Sequence, residues 1–195
     1  MRLNKEELRR RILFARKCLP TNIVTFKSEI IIRSLISLPL FRSCRKVFTY
    51  LSDNKGEVET WGLVQECFRC GKEVWVPRIV GKDLVWHLIE ENKLQELNVN
   101  TWGIPEPLSQ WMPIEEQASD ALCIVPGIAF DRRGYRIGHG KGFFDRFLKN
   151  NKRCINIGLC YQFQIVPLCP HWNWDARMDW VITEEHIFQC ASSFR

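Results

Sequence analysis

The chain has 195 residues, 46% of them hydrophobic, a size and composition that predict one well-buried domain spanning 1–195. No apolar run approaches the ~20 residues a membrane span needs, and Glu6 and Glu7 in the basic N-terminus argue against a transit peptide. The net charge of +6 admits either nucleic acid or a small polyanionic ligand, and nine scattered cysteines predict reduced thiols in the cytoplasm.

Asn4 followed by Glu7 reads as a capping box, opening a helix with Leu8, Ile12, Ala15 and Leu19 on one face. Pro20 ends it. A second helix is predicted from about Val24 to Leu38, with Ile30, Ile31, Leu35 and Leu38 inward. Strands follow at Lys46–Leu51 and Glu73–Pro77, separated by a helix over Glu59–Cys70. Asp83–Ile89 is another strand, and a loop-rich stretch runs from Asn98 to Pro113. Then come a strand at Ala121–Val125, a glycine loop, a helix at Phe143–Lys149, a strand at Cys154–Cys160 and a last short strand near Trp180–Thr183. Such alternation predicts a single α/β domain with a mainly parallel sheet covered by helices. Ligands gather beyond the carboxyl ends of strands in such sheets, so the loops after Leu51, Val125 and Cys160 are the candidates.

The most informative segment is VPGIAFDRRGYRIGHGKGFFDRFLKN, Val125 to Asn150. Gly138, Gly140 and Gly142 alternate with His139 and Lys141 just before a helix, where free N–H groups favour an anion. Arg132, Arg133, Arg136 and Lys141 add positive charge, and Asp145 in the first turn is placed to hold a metal ion on a bound phosphate. Neither the Walker A pattern nor the G-x-G-x-x-G fingerprint fits the spacing. Cys67-Phe68-Arg69-Cys70 has metal or redox spacing. With no second such pair, and with Leu63, Val64, Cys67 and Phe68 on one helical face, Cys67 reads as a core residue and His171 as a loop histidine. No RNA-binding signature accompanies the eight tryptophans and twelve phenylalanines, so a nucleic-acid partner is not expected.

The segment PGIAFDRRGYRIGHGKGFFDRFL resembles the signature of the 5-formyltetrahydrofolate cyclo-ligases, PGLAFD-x-x-G-x-RLG-x-G-x-GYYD. Lys5-x-x-x-Arg9, YLSDNKGEVET, GKEVWVPR, WGIPEP and MDWVITE resemble further landmarks of that family, in its order, from Lys5 to Glu184. The resemblance implies a three-layer α/β sandwich with helices on both faces of the sheet. It also implies an ATP- and Mg²⁺-dependent enzyme that closes 5-formyltetrahydrofolate, with or without a polyglutamate tail, to 5,10-methenyltetrahydrofolate. A monomer without a membrane partner is expected.

The same resemblance assigns residues to roles. Lys5 and Arg9, one helical turn apart, would contact the nucleotide; without the resemblance, their basic face with Arg10, Arg11, Arg16 and Lys17 reads as solvated. Arg136, Ile137, Gly138, His139, Gly140, Lys141, Gly142, Phe143 and Phe144 match the ATP loop, with Arg136 and Lys141 as catalytic charge partners of the phosphates. Asp145 matches a magnesium ligand and Asp179 a second, with Asp175 its competitor; Asp131 is expected to shape the loop. Leu51, Glu57, Trp102 and Phe143 match folate contacts. Glu59 would point away from Glu57 in an extended segment, or belong to the start of the following helix. The sequence departs from the family at Phe144, where a tyrosine is usual, and in LCPHWNWDARMD, where tryptophans replace acidic residues.

Overall fold

The computed structural model describes residues 4–53, 55–101, 103–111, 113 and 120–190. In chain order it contains α1 (Lys5–Lys17), α2 (Thr21–Ser37), α3 (Pro39–Ser43), β1 (Lys46–Phe48), α4 (Trp61–Arg69), β2 (Glu73–Val80) and β3 (Asp83–Ile89). There follow β4 (Asn98–Val99), β5 (Pro105–Glu106), β6 (Ala121–Val125), β7 (Ala129–Phe130), β8 (Arg136–Ile137), α5 (Phe143–Asn150), β9 (Ile155–Leu159), β10 (Trp180–Ile182) and β11 (Ile187–Gln189). A seven-stranded sheet runs β11-β10-β9-β6-β1-β2-β3. Pairing is parallel from β10 to β2 and antiparallel at both edges, where β2–β3 and β10–β11 are sequence neighbours.

Strand alternation divides the core between two faces. Val47, Val74, Val76, Leu122, Ile124 and Ile157 meet α2, α3 and α4 through Ile31, Leu35, Phe41, Leu63, Val64 and Cys67. Phe48, Trp75, Cys123, Val125 and Val181 point the other way and meet Phe144, Phe147 and Leu148 of α5. The result is the expected three-layer sandwich. β6 lies at its centre, buried at every position, which explains why its sequence is a continuous apolar run without alternation.

Several boundaries differ from expectation for local reasons. α2 starts at Thr21 because Pro20 is its N-cap, and its buried face is Val24, Ser28, Ile31, Ile32 and Leu35, with Ile30 only half-buried. β1 ends at Phe48, although Thr49 N still donates to Trp75 O at 2.9 Å. β11 and the two-residue ladders β4–β5 and β7–β8 are too short to leave a periodic pattern.

α1 has a different job from the other helices. Asn4 Oδ1 accepts from Glu7 N at 2.8 Å, as the capping pattern predicts, while the Glu7 carboxylate turns to Arg10 and Arg11. Leu8 and Ile12 pack on Ala129 and Ile137, so α1 rests on the β7–β8 hairpin and lies over the glycine loop that follows it.

Candidate nucleotide and folate site

The loop is held from below by Asp131, whose side chain is fully buried in the β7–β8 turn. Its Oδ1 accepts from Arg133 N and Tyr135 N at 3.0 and 3.1 Å, and its Oδ2 from Cys169 N at 2.9 Å. Arg133 completes the set, donating to Oδ2 from Nε at 3.1 Å and from Nη2 at 2.7 Å. A carboxylate so occupied shapes the turn, which is the role expected of it.

Beyond Ile137 the chain passes through Gly140 at φ +91° and Gly142 at φ +68°, left-handed conformations that favour glycine. Gly142 is the N-cap of α5, with no side chain capping the helix start. The first-turn N–H groups therefore have no intrahelical partners and face the loop. Arg9 of α1 donates from Nε to Gly138 O at 2.8 Å. Lys141 and His139 are exposed at the rim. Ile137 is buried against Leu8, and Phe144 turns inward to meet Trp86 edge-on at 6.2 Å. Ile137 can therefore offer a ligand only its main chain. Phe143 is half-buried beneath the Arg146 guanidinium, 5.5 Å from its ring centre.

Arg136 is not an open phosphate ligand. It is buried, with Nη2 at 2.9 Å from Asp145 Oδ1 and Nη1 donating to Ala176 O at 3.0 Å. Asp145 Oδ1 also accepts from Ala176 N at 3.1 Å. Arg136 thus fixes both the first turn of α5 and the segment around Ala176. Lys5 joins from α1, pairing with Asp175 Oδ2 at 3.0 Å, which also accepts from Trp172 N at 2.9 Å.

Three carboxylates were candidates for a metal: Asp145, Asp179 and its competitor Asp175, the last held by Lys5 and Trp172 N. Asp145 stands in the first turn of α5, beside the glycine loop. Asp179 precedes β10, where its Oδ2 accepts from Asn156 N at 2.7 Å and joins β10 to the start of β9. There it lines a separate cavity of about 310 Å³ with Lys152, Arg153 and Cys154, residues that follow the far end of α5. Asp179 is thus held by the Asn156 main chain, and Asp145 by Arg136 and Ala176 N. Among the described residues no cluster of three or more His, Cys, Asp or Glu side chains could hold a metal. Mg²⁺ is commonly held by one or two carboxylates together with substrate phosphates and water, and Asp145, in the first turn of α5 beside the glycine loop, is a carboxylate of that kind.

Glu57 approaches the loop from the other side. His139 Nε2 lies 3.8 Å from its Oε1, and Arg16 reaches the same oxygen at 3.3 Å while donating from Nε to Gly56 O at 3.2 Å. Burial pushes the Glu57 carboxyl up, but His139 and Arg16 outweigh it and hold it below the usual carboxylate range. Its carbonyl accepts from Tyr161 Oη at 3.0 Å. The surrounding pocket, lined by Arg16, Tyr50, Gly127, Leu159 and Gln164, is too tight here to admit a water molecule. Leu51 is buried in the core, so only its main chain is available to a ligand. Trp102 lies outside the described residues. Glu59 N donates to Ser28 Oγ at 2.9 Å, and Thr60, not Glu59, is the N-cap of α4.

Arg16 contradicts the reading of a solvated basic face: its side chain is 4% exposed. Its position seven residues after Arg9, two helical turns on the same face, was the available signal. The segment from Trp172 to Ala176 carried no spacing signal at all. Cys67 is buried in the core and Cys70 exposed, and His171 stacks on Tyr135 in a loop with ring centres 3.6 Å apart.

A model of the 5-formyltetrahydrofolate cyclo-ligase family matches residues 2–184. A probable 5-formyltetrahydrofolate cyclo-ligase of Schizosaccharomyces pombe is 30% identical, over 97% of this chain and 99% of its own. The 5-formyltetrahydrofolate cyclo-ligase of Saccharomyces cerevisiae is likewise 30% identical, over 95% and 99%. The solved structure of 5,10-methenyltetrahydrofolate synthetase from Aquifex aeolicus superposes with a TM-score of 0.81 at 31% identity, covering 99% of this chain and 96% of that one. Among the described residues no helix is long and apolar enough to cross a membrane.

Proposed function

The chain belongs to the 5-formyltetrahydrofolate cyclo-ligase family, and from that premise we propose that it converts 5-formyltetrahydrofolate and ATP to 5,10-methenyltetrahydrofolate, ADP and phosphate. The observation that carries this reading is the convergence of Arg9, Arg136 and Asp145 on a glycine loop at an uncapped helix start. That arrangement suits a triphosphate, because phosphoryl transfer needs positioning and charge neutralisation more than a side-chain nucleophile.

The formyl oxygen attacks the γ-phosphorus and ADP leaves. N10 then attacks the activated formyl carbon and gives up its proton, and the C–O bond breaks to release phosphate. Main-chain N–H groups of the loop and the first turn of α5 bind the phosphates, while Lys5 and Lys141 offset their charge. Mg²⁺, when bound, neutralises phosphate charge, and Asp145 is the residue that would hold it. Arg136 orients Asp145 rather than touching substrate. Glu57 accepts hydrogen bonds from the pterin N–H groups, which requires the closed pocket to open and the His139 contact to yield.

We read the protein as one domain acting as a cytoplasmic monomer on small ligands, with a polyglutamate tail a further candidate for its positive charge. One family match over nearly the whole chain supports the single domain, and nine free thiols support the cytoplasm. The test is incubation of the pure protein with 5-formyltetrahydrofolate and Mg²⁺, with and without ATP, while methenyl absorbance is followed. Absorbance that rises only with ATP is expected; no ATP-dependent rise overturns the assignment.

A further inference from the structure

Four of the described tryptophans lie at two extremes of exposure. Trp75 and Trp86 are 1% and 6% exposed, as large aromatic rings in a core should be, whereas Trp172 and Trp174 are 58% and 65% exposed. The exposed two are stacked on each other, with ring centres 5.4 Å apart and planes within 9°. An indole left in water forgoes much of the burial that stabilises folded chains, so an ordered, solvent-facing pair needs a reason.

The reason lies in what the same segment touches. Asp175 follows Trp174 directly and binds the Lys5 ammonium, which also lies 5.8 Å from the Trp172 ring centre. Ala176, one residue further, donates its N–H to Asp145 and accepts from Arg136. Two residues of chain span at most roughly 7 Å, so Trp174 stands within a nucleoside's length of Asp145. Asp175 N donates to Trp172 O at 3.0 Å, closing a turn that presents both indoles together. Trp172 is already engaged by its neighbour and by Lys5, which leaves the face of Trp174 turned away from Trp172 open.

We propose that this open face of Trp174, backed by Trp172, stacks on the purine base of the nucleotide; the inference rests on the ATP-dependent reading above. The phosphates then lie at the glycine loop and the base extends over the tryptophan pair. Because every base has a π-face, such a surface adds affinity with little discrimination between purines.

The test is calorimetric titration of wild type, Trp174→Ala and Trp174→Phe with MgATP and, separately, with Mg²⁺ and inorganic tripolyphosphate, which has no base. MgATP affinity is expected to fall about tenfold in Trp174→Ala and to be largely restored in Trp174→Phe. Tripolyphosphate should bind all three proteins alike. Undiminished MgATP binding by Trp174→Ala overturns the proposal, as does a parallel loss of tripolyphosphate binding, which would make the role structural. A wild type that binds neither ligand removes the nucleotide reading itself, and the proposal with it.

Discussion

Replacing Arg16 by Met should destabilise the protein while leaving its nucleotide loop in place. Met keeps much of the length and apolar stem but removes the charge from a site where Arg16 and Glu57 side chains are 4% and 14% exposed. Removing one partner of a buried ion pair costs about 3–5 kcal/mol, mostly because the other charge is left uncompensated. His139 remains 3.8 Å from Glu57, so the lower end, about 3 kcal/mol, is expected. For a chain of this size that is a fall in melting temperature of roughly 6–12 °C. The pH dependence gives a second signature. In wild type the Glu57 carboxyl is held below its ordinary value, so its contribution is present above the unfolded value of about 4.3 and is lost as pH falls through the folded one. Without Arg16 the folded value rises, so the loss caused by the substitution is largest at neutral pH, where the carboxylate is charged, and shrinks on acidification. Urea unfolding at pH 7 and at pH 4 measures both effects, and the double variant Arg16→Met with Glu57→Gln should recover most of the loss. A loss under 1 kcal/mol at pH 7, or no recovery in the double variant, would refute the ion pair as the element that holds this segment.

Asp145→Asn keeps an acceptor for Ala176 N but weakens the Arg136 contact, so it should cost about 1–3 kcal/mol in stability while abolishing most turnover and its Mg²⁺ dependence. Denaturation and turnover across a Mg²⁺ series check this, and full activity would remove Asp145 from the metal. Glu57→Gln should raise the KM for 5-formyltetrahydrofolate by roughly tenfold with little change for ATP, whereas Glu59→Gln should leave both nearly unchanged. Steady-state kinetics on the two variants decides; equal folate losses would contradict the different surroundings of the two side chains. Among the thiols, Cys18 and Cys70 are exposed, while burial pushes Cys67 and Cys169 up to about 12 and Cys190 to about 11. Ellman titration of native protein at pH 8 should find two fast thiols, with all nine reacting in denaturant; four or more fast thiols would refute the packing.

What could be read along the chain was whatever neighbours in sequence decide. Asn4 caps α1 because its acceptor needs only the N–H three residues on, and β3 runs from Asp83 to Ile89 as expected because turn residues bound an apolar run. The glycine loop was legible for the same reason: its backbone conformations are a property of the glycines themselves. The fate of the charges was not legible, because each depends on what distant segments bring to it. Arg16 is buried only because Gly56 and Glu57, about 40 positions away, fold onto α1. Arg136 faces Asp145 and Ala176 rather than an open cradle. Asp179 accepts from Asn156 N and closes the β9–β10 junction. A charged side chain carries no periodic signal of its partner, since burial and pairing are set by the packing of the layers, and only the tertiary structure decides which acid meets which base.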